Sequence, residues 1–213
     1  MEPTGVMRIV VISDTHGKHE ELGNLYGDVL IHCGDMCKAF GQELQNILDL
    51  DNWFSRQKFH RILCVGGNHD FLLEDTKNQE KINFQNAIYL QDEPYEYKGI
   101  LFYGSPWVPE LSGWAFYLDS ENLHAKWSLI PDHVDVLITH TPPRGILDRN
   151  TAGKSCGCPN LRNRLNQVRP VLHCFGHIHA SAGTEIVDGV TFYNASTVNR
   201  RYQIVREPLV FDL

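Results

Sequence analysis

The chain has 213 residues, of which 42% are hydrophobic and 21% are charged. This length and composition are typical of a globular protein with a continuous core, and they exclude a disordered chain. The formal net charge of -7 and the lack of a dense basic stripe argue against polymeric nucleic acid as a partner, because such binding needs clustered lysine and arginine. We therefore expect one domain over residues 1–213 that does not bind a nucleic acid polymer.

Residues 1–13 begin with an acidic position and contain an apolar run of only a few residues. This pattern fits neither a signal peptide nor a membrane span. We therefore expect a cytoplasmic protein that does not bind a membrane.

Six cysteines are spread along the chain without the spacing of a disulfide framework: Cys33, Cys37, Cys64, Cys156, Cys158 and Cys174. Free buried thiols are the favoured interpretation. Cys156 and Cys158 form a C-x-C pair, but no second pair with zinc-site spacing accompanies it. A structural zinc at this pair is therefore the less favoured alternative.

Short apolar segments rich in valine and isoleucine recur along the chain, at residues 8–13, 29–33, 61–66, 100–104, 134–139 and 171–175. Their length and composition predict strands that are buried on both faces. Between the second and third segments, residues 42–55 place large apolar side chains at near-helical spacing and predict a helix. The alternation of strand and helix predicts an α/β domain, with one mixed sheet or two stacked sheets flanked by helices.

The C-terminal part changes character, because "TEIV", "VTFYNAS", "YQIV" and "LVFDL" follow one another with no helix between them. This pattern predicts an antiparallel meander. Residues 198–206, "VNRRYQIVR", are interpreted as a strand with exposed charges rather than as a phosphate-binding segment.

Polar side chains of similar chemistry follow five of the predicted strands: Asp14 and His16, Asp35, Asn68 with His69 and Asp70, His140, and His177 with His179. In open α/β sheets, ligands bind beyond the carboxyl ends of the strands, where side chains from separate segments converge. Any one of these motifs alone is explained by a turn or by a strand end. Their recurrence at the same structural position favours one shared site.

Seven of these side chains are suitable metal donors: Asp14, His16, Asp35, Asn68, His140, His177 and His179. Carboxylate, imidazole and carboxamide donors without a thiol suit Mn, Fe or Zn better than they suit a closed structural zinc site. Seven donors are too many for one tetrahedral ion, so we expect two ions that share a carboxylate, and Asp35 can serve as that bridge. Two metals about 3.5–4 Å apart can activate a hydroxide and clamp a phosphoryl group for in-line displacement.

The other histidines provide a comparison with this set. His32 and His173 lie inside apolar segments and are predicted to be structural. Solvated side chains are expected at His19, His60, His124 and His133.

The motifs "DTH" (14–16), "GD" (34–35), "GNHD" (67–70), "TH" (139–140) and "GHIH" (176–179), in this order, resemble those of the calcineurin-like metallophosphoesterase superfamily. Four further segments look like the metallophosphoesterase-domain-containing subgroup, relatives of the class III cyclic nucleotide phosphodiesterases: "GSPWVPELSGWAF" (104–116), "THTPPRGILD" (139–148), "GCPNL" (157–161) and "NAST" (194–197). The resemblance implies an α/β (α+β) fold, a four-layer sandwich of two mixed β-sheets flanked by helices. It also implies a dinuclear centre, for which Mn is favoured over Fe or Zn.

Carried onto this chain, the resemblance gives one metal to Asp14, His16 and His179 and the other to Asn68, His140 and His177, with Asp35 as the bridge. It also implies that His69 protonates or stabilises the departing alkoxide and that Asp70 orients His69, which agrees with the need of a leaving oxygen for a proton donor. Some vertebrate members of the subgroup have glycine where this chain has His177, and they look like weak enzymes. Because His177 is retained, we expect an active enzyme.

Three residues are candidates for contacts with the substrate. Arg144, four residues after His140, can reach a phosphate oxygen as a bidentate donor or form a surface salt bridge. Trp107 and Trp114 lie in a loop punctuated by glycine and proline. They either stack on a nucleobase or, as we favour, pack on their own domain.

The resemblance implies a metal-dependent phosphoesterase, and more narrowly a phosphodiesterase that acts on a small phosphoester such as a cyclic nucleotide. A nucleotide-binding or scaffold protein on the same fold with little turnover is the alternative, which the retained ligand set disfavours. Because dinuclear sites also hydrolyse amides and esters, the residues alone leave that chemistry as a third option.

Overall fold

The computed structural model describes residues 5–38, 44–74 and 82–213. The strands are β1 (Arg8–Ile12), β2 (Val29–His32), β3 (Arg61–Cys64), β4 (Ile88–Tyr89), β5 (Glu93–Tyr97), β6 (Ile100–Ser105), β7 (Val136–Thr139), β8 (Leu172–Phe175), β9 (Gly183–Val187), β10 (Val190–Asn194) and β11 (Leu209–Asp212). The α-helices are α1 (Leu44–Ser55), α2 (Phe71–Glu74), α3 (Ser120–Ser128) and α4 (Pro159–Val168). Short 3-10 helices span His19–Leu22 and His179–Ser181.

The strands form two mixed sheets. The first has the order β11-β1-β2-β3-β4, in which β1 to β4 are parallel and β11 runs antiparallel to β1 at one edge. The second has the order β5-β6-β7-β8-β10-β9, with a parallel centre and an antiparallel strand at each edge. All six apolar segments contain strands of these sheets, and the prediction that they are buried on both faces is confirmed.

The alternation of side chains along the strands separates the core into layers. Ile9, Val11 and Ile31 of the first sheet belong to the same buried cluster as Val136 and Leu172 of the second, so this cluster fills the space between the sheets. The side chains that alternate with them form a second buried cluster with the apolar faces of α1, α3 and α4. The result is the expected sandwich of two mixed sheets flanked by helices. Residues 42–43, where the first helix is predicted to begin, lie outside the described residues.

The predicted C-terminal meander is wrong. β9 and β10 form an antiparallel hairpin, but the "YQIV" segment at residues 202–205 is not a strand, and β11 joins the other sheet. β11 pairs with β1 because that edge offers free backbone groups, and the hydroxyl of Tyr193 on β10 donates to the carbonyl of Val210 across the two sheets (2.8 Å). The predicted strand at residues 198–206 is instead a turn and irregular chain.

Most predictions about histidine and cysteine hold, with one exception. His32 and His173 are fully buried, and His60, His124 and His133 are exposed. His19, predicted to be solvated, is buried, because the 3-10 helix that it begins turns its ring onto Trp53 with centroids 5.6 Å apart. All six cysteines are free, and every one except Cys156 is buried. None of them joins a possible metal-binding group in the part of the chain that the structure describes.

Within residues 5–38, 44–74 and 82–213, every helix is too short or too polar to cross a lipid bilayer.

The two structural histidines predict that acid destabilises the fold. Burial lowers the pKa of His32 and that of His173 to about 3, compared with about 6.5 for histidine in an unfolded chain. The unfolded chain therefore binds protons on these side chains at a higher pH than the folded chain does. The free energy of unfolding should fall as the pH drops below about 6.5, by about 2 kcal/mol for each histidine at about pH 5.

Urea unfolding of the metal-free protein at about pH 8 and about pH 5 measures this loss. We expect His173→Gln to lose about 2 kcal/mol less than the wild type between these pH values, because it lacks one of the two titrating groups. His60→Gln is the matched control, since that imidazole is 65% exposed, and it should follow the wild type. Equal losses in His173→Gln and the wild type would contradict the prediction.

Candidate metal centre

The polar motifs lie beyond the carboxyl ends of β1, β2 and β3 in the first sheet and of β7 and β8 in the second. Backbone hydrogen bonds join neighbouring motifs within each sheet. The amide of His16 donates to the carbonyl of Asp35 (3.0 Å), and the amide of Gly176 donates to the carbonyl of His140 (3.0 Å). The strand ends of both sheets therefore meet at one place, as the sequence predicts.

Hydrogen bonds also connect the motifs of one sheet to those of the other. The amide of His177 donates to the Asp14 carboxylate (3.1 Å to Oδ2). Nδ1 of His140 lies 2.8 Å from the carbonyl oxygen of Cys33. Because a carbonyl only accepts, Nδ1 carries the proton and Nε2 of His140 is directed at the site with its lone pair or a second proton.

Asp35 is the centre of the cluster. Its carboxylate oxygens lie 3.5 Å from Nε2 of His140, 3.7 Å from Nε2 of His16 and 4.0 Å from Nε2 of His69. The amide of His69 also donates to Oδ1 of Asp35 (2.8 Å). Nε2 of His140 also lies 3.0 Å from Oδ1 of Asn68. Acceptor atoms so close together need a proton or a metal ion between them.

A second concentration of donors surrounds Asp14. Its Oδ1 lies 3.3 Å from Nε2 of His179. Asp14, His16 and His179 each offer one donor atom, and the three atoms lie within 4.8 Å of one another. On the other side of Asp35, the rings of His140 and His177 are 5.0 Å apart. All seven predicted donors are thus brought into one cluster that spans the two sheets.

The donors fit a divalent cation. Both ring nitrogens of His16 are buried without a hydrogen-bond partner among the described residues, which is costly for an imidazole unless another group binds it. Burial lowers the pKa of His16 despite the nearby Asp35 and Asp14 charges, so its imidazole is neutral, as metal coordination requires. A role as a metal ligand therefore explains the arrangement of His16 better than a role as a core histidine does.

The carboxylates of the cluster are ionised. Burial raises the pKa of Asp35, but His140 outweighs this effect and holds the pKa well below its usual value. The same balance operates at Asp14, where burial raises the pKa but the interactions with His179 and other groups outweigh it, so the pKa is lowered overall. Burial in turn lowers the pKa of His140 and of His179, and the carboxylates overcome it and raise both values. The cluster thus holds two buried negative charges that attract cations.

Four of the seven donors have left-handed backbone conformations: Asp14 (φ 56°), His16 (φ 44°), Asp35 (φ 54°) and His177 (φ 68°). Such a conformation costs roughly 1 to 3 kcal/mol for a residue with a side chain, and it concentrates at functional sites. Glycines complete the close packing. A Cβ atom on Gly176 would lie 2.0 Å from Oγ of Ser13, and one on Gly67 would lie 2.3 Å from the amide nitrogen of Asp35.

The sequence model of calcineurin-like phosphoesterases matches residues 7–181, which include every strand-end motif. The chain belongs to this family. Members of the family use divalent metal ions and hydrolyse phosphoester bonds, so the chain is by family a metal-dependent phosphoesterase. The resemblance found in the motifs is thereby confirmed.

Curated relatives agree with this assignment, and solved structures share the fold. Metallophosphoesterase domain-containing protein 1 from Homo sapiens and that from Mus musculus are each 36% identical to this chain over 240 residues, covering 100% of it and 72% of the relative. A putative 5'-nucleotidase from Staphylococcus aureus shares the fold, with a TM-score of 0.56 over 97% of this chain and 54% of its own, at 12% identity. Another solved chain superposes with a TM-score of 0.65 over 89% of this chain and 90% of its own, at 15% identity.

Asp70 of the phosphoesterase motif "GNHD" makes backbone contacts. Its carboxylate accepts hydrogen bonds from the amides of Gly67 (2.9 Å), Met36 (3.2 Å) and Cys37 (2.8 Å). Burial and the Asp35 charge raise the pKa of Asp70 to about 6. Asp70 therefore holds two turns together, the one that carries Asn68 and the one that carries Asp35. The expected role of Asp70 in orienting the His69 ring stays a prediction.

The two tryptophans have different environments. Trp107 is buried, its Nε1 donates to Asp92 (2.8 Å), and Lys126 lies 4.6 Å above its ring, so it packs on its own domain. Trp114 is 39% exposed, and its ring lies 4.6 Å from that of His69 at the edge of the donor cluster. The side chain of Arg144 is exposed, and its contact with a substrate stays a prediction.

Sequence reasoning missed Tyr202. Its ring lies 4.7 Å from that of His16, 5.9 Å from that of His179 and 6.3 Å from that of His69. The sequence predicts a strand with exposed charges there, and no metal-binding residue type marks the segment. The sequence "NRRYQ" does contain an asparagine that can close a turn, which is the signal that could have been used.

Metal binding should stabilise the folded phosphoesterase. An ion at about 100 times its Kd raises the free energy of unfolding by about 2.7 kcal/mol. Adding Mn²⁺ to the metal-stripped protein should therefore raise its Tm. Asp35→Asn keeps the shape of the side chain but removes the central charge, so this variant should lose most of the rise.

Thermal unfolding with and without Mn²⁺ tests this expectation. Asp132→Asn is the control, because that side chain is 86% exposed and pairs with Arg164 outside the cluster. A full rise of Tm in Asp35→Asn would contradict the proposed central position of Asp35.

The left-handed backbone at His177 predicts an unusual order of stabilities. Glycine adopts φ 68° without the steric cost that alanine meets. In the metal-free protein, His177→Gly should therefore be about 1 kcal/mol more stable than His177→Ala, although glycine normally costs backbone entropy. Urea unfolding of the two variants measures the difference. A more stable His177→Ala would show that the backbone relaxes at this position.

Proposed function

We propose that the chain is a dinuclear phosphodiesterase that acts on a small phosphoester such as a cyclic nucleotide, with Mn favoured as the metal. The observation that carries the proposal is the cluster around Asp35, which gathers seven donors from five strand ends and holds Nε2 of His69 within 4.0 Å of the central carboxylate. A mononuclear site would leave several of these donors without a function.

We assign the ligands in two sets that share Asp35. The close approach of their donor atoms supports the first set, which is Asp14, His16 and His179. The contact between His140 and Asn68 (3.0 Å) and the adjacent rings of His140 and His177 support the second set, which is Asn68, His140 and His177. The position of Asp35, 3.5 Å from His140 and 3.7 Å from His16, supports its role as the bridge.

Two bound divalent ions would supply an activated hydroxide and Lewis acid stabilisation for in-line displacement at phosphorus. The residues of the chain would hold and orient the substrate and manage its protons. His69 is the proposed proton donor to the departing oxygen, because its imidazole borders both the Asp35 carboxylate and the partly exposed ring of Trp114. Arg144 is proposed to bind a phosphate oxygen from the surface.

A single domain over residues 1–213 and a cytoplasmic location both stay predictions. The alternative of a nucleotide-binding protein without turnover becomes the favoured one only if the metal-loaded protein binds a nucleotide and hydrolyses no phosphoester.

Hydrolysis of bis-p-nitrophenyl phosphate and p-nitrophenyl phosphate by the metal-stripped protein, with Mn, Zn or Mg added singly, tests the proposal. We expect metal-dependent cleavage of the diester, and its loss in Asp35→Ala and His140→Ala. A folded, metal-binding wild type that cleaves neither compound with any metal would overturn the proposed activity.

The proposed role of His69 gives a sharper test. General acid catalysis contributes about 100- to 10,000-fold, and it matters most when the leaving oxygen is basic. His69→Ala should therefore lower kcat for a cyclic nucleotide with an alkoxide leaving group much more than kcat for bis-p-nitrophenyl phosphate. His124→Ala, an exposed histidine, is the control. Equal losses for both substrates would remove His69 from this role.

A further inference from the structure

Tyr202 is held over one side of the candidate metal centre. Its ring borders His16, His179 and His69, with centroid distances of 4.7, 5.9 and 6.3 Å. The side chain is only partly buried, and in the described residues its hydroxyl has no hydrogen-bond partner. A tyrosine in this position presents part of an aromatic face and a polar tip to whatever enters the site.

The turn that carries Tyr202 is rigidly built. Oδ1 of Asn199 accepts hydrogen bonds from the amides of Arg201 (2.8 Å) and Gln203 (3.2 Å), and the amide of Asn199 donates to the carbonyl of Gln203 (3.0 Å). This closure holds Tyr202 at φ 57°, a left-handed conformation that an aromatic residue adopts only when its surroundings impose it.

The same turn is anchored to the metal-binding segment. Thr197, two residues before Asn199, donates to the carbonyl of Ser13 from both its amide (3.0 Å) and its hydroxyl (2.8 Å). Ser13 directly precedes Asp14. The position of the Tyr202 ring is thereby fixed relative to the first set of donors.

Trp114 provides a second exposed ring beside the same histidine. Its ring lies 4.6 Å from that of His69, and it is 39% exposed. The following residue, Ala115, donates its amide to the carbonyl of Asn68 (3.2 Å), so this loop is also attached to a donor-bearing turn. Both rings therefore lie on the His16 and His69 side of the cluster, whereas the rings of His140 and His177 contact neither of them among the described residues.

We propose that Tyr202 and Trp114 are substrate-specificity residues that bind a flat aromatic group carried by the phosphoester. The inference rests on the proposed function, and it narrows the substrate to esters whose organic part has an aromatic ring. Two rings that flank the proposed proton donor and are held by independent backbone anchors pre-organise a stacking surface, which lowers the entropy cost of binding. Stacking of a flat ring on such a side chain does not depend on the identity of the ring, and it is strong enough to change affinity several-fold.

Binding of phenylphosphonate and methylphosphonate to the Mn-loaded protein tests the inference, because these compounds share the phosphonate group, cannot be hydrolysed as esters and differ in the aromatic ring. Titration calorimetry should give the wild type a phenyl-over-methyl preference of about 5- to 30-fold. Tyr202→Ala and Trp114→Ala should each reduce this preference to less than half while leaving methylphosphonate affinity within about 2-fold.

Two further variants separate a specificity role from simple packing. Tyr202→Phe keeps the ring and should keep most of the preference. Tyr26→Ala removes a tyrosine that is 69% exposed and precedes β2, at the opposite end of that strand from Asp35. This variant should keep all of the preference. The rise of Tm with Mn²⁺ is measured for every variant, since a tyrosine that only packs against the histidines would change metal binding and weaken both phosphonates equally.

Each outcome bears on a different proposition. A wild type that binds both phosphonates without preference, or a Tyr202→Ala variant that keeps the wild-type preference, overturns the inference and leaves the proposed function intact. A Mn-loaded wild type that binds neither phosphonate and cleaves neither nitrophenyl ester overturns both. The loss of preference in Tyr202→Ala with an unchanged rise of Tm supports the specificity role.

Discussion

The structure of the site depends on the buried carboxylate of Asp35. A carboxylate that is only 2% exposed must be compensated by hydrogen bonds and positive charge, or its burial costs several kcal/mol. The compensation comes from the amide of His69, which follows β3 of the same sheet, and from His140, which follows β7 of the other sheet. The charge therefore has its partners only when both sheets are packed with their carboxyl ends together, so the position of Asp35 couples the site to the tertiary fold.

The backbone at the site is strained, and the rest of the fold stabilises it. Asp14, His16, Asp35 and His177 all lie in the left-handed region, and glycines next to them allow contacts that no side chain would permit. The two apolar clusters, one between the sheets and one under the helices, supply the burial that offsets such strain. Since each strand contributes alternate residues to both clusters, the strand ends cannot shift to relieve the strain without disturbing the core.

The edge of the site is built from segments that are attached to the donors themselves. Ala115 is hydrogen-bonded to Asn68, and Thr197 is hydrogen-bonded to Ser13 beside Asp14. The loops that carry Trp114 and Tyr202 are therefore extensions of the donor-bearing turns rather than independent lids. A change in either loop is expected to reach the donors through one or two hydrogen bonds, which is why metal binding has to be measured in any variant of the edge.

The sequence by itself determined the six apolar strand segments, the α/β class and the seven donors, whereas the two-sheet architecture followed from the resemblance of its motifs to a known family. It did so because buried strands are apolar along their whole length, and because Asp14, Asp35, Asn68, His140 and His177 all follow such segments at the same place. Local pattern could not decide where β11 pairs, since an edge of either sheet accepts the same alternating residues. It also could not place His19 against Trp53, or Tyr202 over His16, because these contacts join segments far apart in the chain. Only the packing of the two sheets brings those side chains together, and only closure of the turn at Asn199 directs an aromatic ring at the candidate metal centre.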